Sequence, residues 1–252
     1  MAVGSISGVP SPAILDALHP AVVHDPSRAC AALPSMLAAC PRPTAPVSPG
    51  DYMLLDGKIV LVSGIGPGLG IELAVLAARE GAAGVAVAAR TPAKLDDAER
   101  AARATGLATP ILKVPTDVSE RAHCRRLVDA TVERFGRIDA LVNSAYVPGR
   151  FEPVESADLD DWRTTLDVNL FGTMTLTQTV VPVMKRQGGG AIVMINSMVT
   201  RKPMPYQGGY AVSKSALTSA TAQLALELGA FKIRVNSCYT WDGCGARPSR
   251  VI

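Results

Sequence analysis

The sequence predicts an α/β fold, a doubly wound parallel sheet of six strands with helices on both faces. Three observations predict it. From Lys58 onward, short apolar runs alternate with segments of helical spacing, the signature of strand–helix–strand units around a parallel sheet. The first apolar run closes on a glycine-rich turn, Ser63-Gly64-Ile65-Gly66-Pro67-Gly68-Leu69-Gly70, at a strand-to-helix junction. The chain's 252 residues are enough for one such domain with a substantial core.

The elements follow in order. Ile59 to Val62 is an apolar, β-branched run and forms the first strand. Leu69 to Arg79 is helical, with Leu69, Leu73 and Leu76 on one face. Gly84 to Ala89 is the second strand. Pro92 to Ala104 is the second helix, with Pro92 in the first turn, where its missing N–H is harmless. Pro110 to Val114 is the third strand. Ser119 is expected to cap a helix that runs to about Phe135, with Glu120 to Arg126 on its polar face. Ile138 to Val142 is the fourth strand. Asp158 to Lys185 reads as one long helix and its approach. The uncharged stretch Val168 to Met184 carries Asn, Gln, several Thr and a Pro. It is a buried helix face, not a membrane span, which needs roughly 20 predominantly apolar residues. Gly190 to Ile195, Gly209 to Leu228 and Ile233 to Val235 complete the pattern as strand, helix and strand.

Residues 1–50 differ from the rest. They hold nine of the nineteen prolines and only four charged side chains, Asp16, Asp25, Arg28 and Arg42. Proline at this density breaks helix and strand, so a disordered extension is expected up to residue 52. The net charge is +3 with acids and bases interspersed, and no basic block marks a nucleic-acid or membrane surface. Cys30, Cys40, Cys124, Cys238 and Cys244 form no CxxC pair, and His19, His24 and His123 form no ligand cluster. No metal site and no disulfide framework is expected. The N-terminus lacks the basic and compact apolar regions of a secretory signal, so a cytoplasmic setting is the default.

Two motifs carry chemistry. In the turn, glycine allows positive φ and close backbone approach, and the following helix N-terminus offers N–H groups to a phosphate. Alone, such a turn is also an ordinary tight turn. Far downstream, Tyr210 and Lys214 stand four apart on a helix and share a face, thirteen residues after Ser197. A phenol titrates near about 10, and a neighbouring ammonium favours its ionised form. Tyr210 can then exchange a proton with a carbinol or carbonyl oxygen, with Ser197 at a strand end to orient the same oxygen. Alone, Tyr-x3-Lys is a common surface pair.

The spacing G-x-x-x-G-x-G, with the downstream serine and Tyr-x3-Lys, resembles the short-chain dehydrogenase/reductase family over residues 54 to about 237. Ser63 stands where a threonine is usual. The resemblance implies a Rossmann-type fold, a nicotinamide cofactor, and hydride transfer to or from a secondary alcohol or ketone. It implies cofactor-binding roles for Ser63, Gly64, Gly68, Leu69, Gly70 and Lys214, and an adenine contact for Asp117 beside Val118. It assigns catalytic roles to Tyr210, Lys214 and Ser197, and to Asn169 a role in holding a water that links the lysine to solvent. Asn143 and Ala145 match two positions of the usual Asn-Asn-Ala-Gly, whereas Ser144 and Tyr146 depart, Tyr146 by its bulk. NAD-preferring members usually carry an acid at the end of the second strand. Here Ala89 stands in that place and Arg90 follows, able to pair with a phosphate. NADP(H) is therefore favoured, with NAD(H) left open. The resemblance also implies a homodimer or homotetramer built on the long helices at 161–186 and 209–229.

The ending departs from the family. Thr240-Trp241 stands where Pro-Gly belongs, and Asp242 to Ile252 has no strand or helix pattern. The expectation is a catalytic domain over residues 53–237 and an irregular tail over 238–252. The family's seventh strand would be missing, as in a C-terminally truncated reductase, leaving the sixth strand as an exposed edge. Two rival readings follow: a non-catalytic nucleotide-binding remnant, and a scaffold protein acting through its first 50 residues.

Overall fold

The computed structural model describes residues 53–240. The expected extension over 1–52 and the tail from residue 241 lie outside the described residues. Six parallel strands form one sheet in the order β3-β2-β1-β4-β5-β6. They are β1 (Ile59–Ser63), β2 (Gly84–Ala89), β3 (Ile111–Pro115), β4 (Ala140–Asn143), β5 (Gly190–Ser197) and β6 (Ile233–Thr240). This is the strand order of the doubly wound Rossmann-type fold, in which the order of the strands reverses between β1 and β4.

Alternation along β1 builds both halves of the core. Val60 and Val62 join Val85 and Val87 of β2 on one face. Helices α1 (Leu69–Arg79) and α2 (Pro92–Arg103) cover it with Ala74, Ala77, Leu95 and Ala98. Leu61 points the other way, into a larger cluster with Leu127, Leu176, Val180, Met184 and Leu217. That face is covered by α3 (Arg121–Phe135), α5 (Thr173–Arg186) and α6 (Gly208–Leu228). Strands buried on both faces read as unbroken apolar runs, and β1 and β2 are buried at every residue.

Four expectations need correction. The buried face of α1 is Gly70, Ala74, Val75, Ala77 and Ala78, while Leu69 and Leu76 are exposed. Small residues let this helix lie close to the sheet; of the leucine stripe, Leu73 packs partly against the core and Leu69 and Leu76 point outward. Ser119 does not cap α3. The N-cap is Glu120, without a side-chain hydrogen bond, and the Ser119 hydroxyl donates to Asp117 instead. The long helix expected from Asp158 is two helices. α4 (Leu159–Leu166) joins α5 through a π-helical segment, Asp167–Gly172. Finally, β6 continues past residue 237 to Thr240 and pairs with β5 from Ile233↔Gly190 to Thr240↔Ser197. Residues 238–240 are thus strand, not irregular tail. Among the described residues β6 is a sheet edge, and no helix is long and apolar enough to cross a membrane.

Candidate active site

The strand order brings the carboxyl ends of five strands together, and each ends on or just before a residue singled out from sequence. β1 ends on Ser63, β2 leads into Arg90, β3 into Asp117, β4 ends on Asn143 and β5 on Ser197.

The turn after β1 is shaped by contact. Gly64 has φ +84°, and a Cβ there would overlap the Ala145 backbone. Only glycine meets both demands. The Gly64 and Ile65 amides both donate to the Ala88 carbonyl, at 2.8 and 3.1 Å, so the turn is tied to β2. A Cβ on Gly70 would come within 2.5 Å of the Gly64 carbonyl oxygen, so α1 can start this close only from glycine. Gly66 and the N-cap Gly68 face open space. Ser63 is buried, its hydroxyl aimed at the Val142 carbonyl at 3.4 Å, and Leu69 is exposed.

Beside the turn, Asn143 is 3% exposed and pairs in register with Ser63. Its Nδ2 donates to Thr177 Oγ1 at 3.0 Å, yet its buried Oδ1 has no hydrogen-bond partner among the described residues. A buried acceptor without a partner is rare and calls for a ligand or water. Ala145 follows, half-buried. Arg90 is exposed directly after the buried Ala89. Burial pushes the Asp117 carboxyl up, but hydrogen bonds from the Ser119 hydroxyl and amide, then the Arg90 and His123 charges, outweigh it and hold it below its ordinary 3.8. Val118 is buried behind it. The Cys124 thiol donates to the Val118 carbonyl, and burial pushes that thiol up to about 11.

The open turn, the close-packed glycines behind it and the orphaned acceptor fit a dinucleotide laid across the carboxyl ends of the strands.

The second cluster lies on α6. Lys214 is 3% exposed, and its Nζ donates to the Ile195 carbonyl at 2.8 Å, two residues before Ser197. The same Nζ lies 5.7 Å from the ring centre of Tyr210 and 5.8 Å from that of Tyr146. The two rings are 6.1 Å apart and tilted by 57°. Ser197 is buried. Its hydroxyl accepts from the Val199 amide at 3.2 Å, and its own amide donates to Asn196 Oδ1.

Asn169 sits within the π-helical segment and is fully buried. Its amide clasps Val147 from both sides, accepting from Val147 N at 2.8 Å and donating to Val147 O at 2.9 Å. Nδ2 also donates to Ser213 Oγ, which donates to the Tyr210 carbonyl. Asn169 thus fastens the loop after β4 to the turn of α6 that carries Tyr210 and Lys214.

The structure therefore gathers Asn169, Tyr210 and Lys214, and sets Ser197 on the strand whose carbonyl holds Lys214. Sequence reasoning did not place Tyr146, Asn196 or Ser213 in the site. Tyr146 had a signal, since it breaks the resemblance at that position. Asn196 and Ser213 had none, because the bonds that tie them to other elements, to Thr218 and from Asn169, run to residues distant in sequence.

The family model for short chain dehydrogenases matches residues 58–241. An uncharacterised NAD-dependent oxidoreductase of Mycobacterium tuberculosis is 38% identical over 201 residues, covering 75% of this chain and 72% of that protein. A D-threitol dehydrogenase of Mycolicibacterium smegmatis is 37% identical over 184 residues, covering 73% and 69%. The crystal structure of an NAD+-bound xylitol dehydrogenase superposes with a TM-score of 0.72 at 32% identity, over 76% of this chain and 73% of that one. On this fold, these motifs and these relatives, the chain belongs to the short-chain dehydrogenase/reductase family of oxidoreductases.

Proposed function

We propose that the chain transfers a hydride between a nicotinamide cofactor and a secondary alcohol or ketone, with Tyr210 as its acid/base. The observation that carries this reading is the buried Lys214 ammonium, 5.7 Å from the Tyr210 ring centre, at the same end of the sheet as the glycine turn. When bound, the nicotinamide supplies the hydride-carrying carbon.

The chain's own residues do the rest. Gly64, Gly68, Leu69 and Gly70, with Ser63 behind them, offer backbone to the pyrophosphate. Asp117 and Val118 flank the adenine, and Asn143 and Ala145 form the floor between the adenine end and α6. Lys214 binds the nicotinamide ribose and favours the phenolate form of Tyr210. Tyr210 then takes the proton of a carbinol, or gives one to a carbonyl oxygen. Ser197 orients that oxygen. Asn169, through Val147 and Ser213, holds the loop and the helix in fixed relation, and the π-helical segment around it supports a water link from Lys214 to solvent.

Arg90 after Ala89 supports NADP(H) as the preferred cofactor: nothing at Ala89 repels a 2′-phosphate, and the exposed guanidinium can pair with it. Two of the relatives named above are an NAD-dependent oxidoreductase and an NAD+-bound dehydrogenase, so both cofactors belong in the test. Exposed Phe171 on the π-helical segment, and Val212 and Leu226 on α6, support a homodimer or homotetramer through these helices.

Tyr210→Phe is expected to abolish turnover of a small ketone, by at least about 10²-fold, while cofactor affinity stays close to the parent's. Steady-state kinetics beside cofactor titration checks this, and retained turnover refutes the role of Tyr210.

A further inference from the structure

We propose that Tyr146 is a specificity-determining residue, a shelf on which the ring of a cyclic or aromatic ketone or alcohol lies while its oxygen meets Tyr210. The proposal rests on the hydride-transfer reading above, and names the substrate class that this site favours.

The backbone at Tyr146 is held on both sides. Ser144 N donates to the Ser63 carbonyl at 3.0 Å, and Ala145 packs against Gly64 with no room for a methyl group between them. Val147 has both its amide and its carbonyl bonded to the Asn169 side chain. The Cα of Tyr146 therefore has little freedom, and its ring has a fixed origin.

That ring stands 6.1 Å from the Tyr210 ring at a 57° tilt and 5.8 Å from the Lys214 ammonium. Yet it is 56% exposed, so part of its surface is left in water beside a buried lysine. A rigidly anchored aromatic surface open to solvent, next to the acid/base pair, is built to be covered by something flat. An aromatic or cyclic substrate gains stacking and sheds apolar hydration there. An open chain of hydroxyls gains little, since a ring face returns no hydrogen bonds for those it would lose. The neighbouring approach has the same character. Exposed Phe151 and Tyr206 lie on two segments joined by the Glu152 amide and the Tyr206 carbonyl at 3.2 Å, just before Tyr210 in the chain.

The test compares acetophenone with acetone for the parent, Tyr146→Gly and Tyr146→Phe, each supplied with NADPH and NADH. In Tyr146→Gly, the preference for acetophenone in kcat/KM is expected to fall about tenfold, through KM. Tyr146→Phe is expected to keep the preference, because the ring and not the hydroxyl forms the shelf. A cooperative thermal transition in Tyr146→Gly checks that this variant is folded. Saturation-transfer NMR on the acetophenone ring protons gives a second readout that needs no turnover. Transfer is expected in the parent and in Tyr146→Phe, and loss in Tyr146→Gly. An unchanged preference in Tyr146→Gly overturns the shelf, as does absence of ring-proton transfer in the parent. Equal loss in Tyr146→Phe overturns it too, by assigning the effect to the hydroxyl. If neither ketone turns over but the transfer pattern holds, ring binding at Tyr146 stands while the hydride-transfer reading fails, and with it the role of the shelf in specificity.

Discussion

Asn143 and Asn169 are both buried amides at the carboxyl end of the sheet, and they are used in opposite ways. Asn169 has every polar atom engaged, whereas Asn143 keeps one oxygen unpaired. The resemblance marked both positions, but neither hydrogen-bond pattern was legible, because each partner comes from another element. Ser119 shows the same limit on a smaller scale. A serine ahead of a helix reads as a cap, yet here it serves the Asp117 carboxylate. That has a pH signature. Asp117 has a folded pKa depressed below 3.8, so its contribution to stability is present above that value and lost as the pH falls through the folded value. Ser119→Ala removes one of the bonds that depress it. The variant is expected to melt below the parent at neutral pH, and the gap is expected to shrink as the pH falls below about 4 and to close once the folded-state carboxylate is protonated. Thermal melts across that range check it, and a gap independent of pH assigns the loss to packing.

Element types were legible where period and composition agreed, as in β1, β2 and α2. The faces were less so. α1 buries its alanines and not its leucines, because distance from the sheet decides which side chains fit, and a periodicity cannot report distance. The start of α6 depends on the same physics. The Trp162 indole on α4 lies across Gly208 and Gly209, and a Cβ at those positions would come within 2.6 and 2.9 Å of it. Tyr210 is the next residue. Gly209→Ala brings two opposing effects, a helix-propensity gain of up to about 1 kcal/mol and an overpacking cost of about 1–3 kcal/mol. The overlap is expected to win, lowering the melting midpoint and also kcat, since Tyr210 shifts with its helix. In a Trp162→Ala background the overlap is gone, and the same substitution is expected to become neutral or stabilising. A double-mutant cycle in thermal unfolding reads the difference. A cost that persists without the indole would place the strain elsewhere.

At the scale of the whole molecule, alternation of apolar runs and helices was enough to foresee the sheet and the end of it that holds the site. The extent of β6 was not foreseeable, since Ser237 to Thr240 has no apolar pattern. Those residues are held by side chains: Thr221 bonds Ser237 at 3.0 Å, and the Tyr239 hydroxyl donates to Thr218 at 3.3 Å. Cofactor choice belongs to this scale too, because a ligand that binds only the native state raises the midpoint of the entire chain. NADPH at 100 times its Kd is expected to add about 2.7 kcal/mol of stability, and to shift the midpoint more than NADH at the same concentration. Ala89→Asp is expected to reverse that order. An unchanged order in the variant would remove Arg90 and Ala89 from the account of cofactor preference. The π-helical segment also acts on this scale. α4 packs on α6 and α5 on α3, and the wide turn between them absorbs an extra residue. Removing a single residue from Asp167–Gly172 would let the stretch close into a regular helix with α4 and α5 still in phase. Trp162 would still face Gly208 and Gly209, but the bulge that carries Asn169 to Val147 would be gone. The extra residue serves not to join the two helices but to push one side chain out of line, so the length of this stretch sets the reach of Asn169.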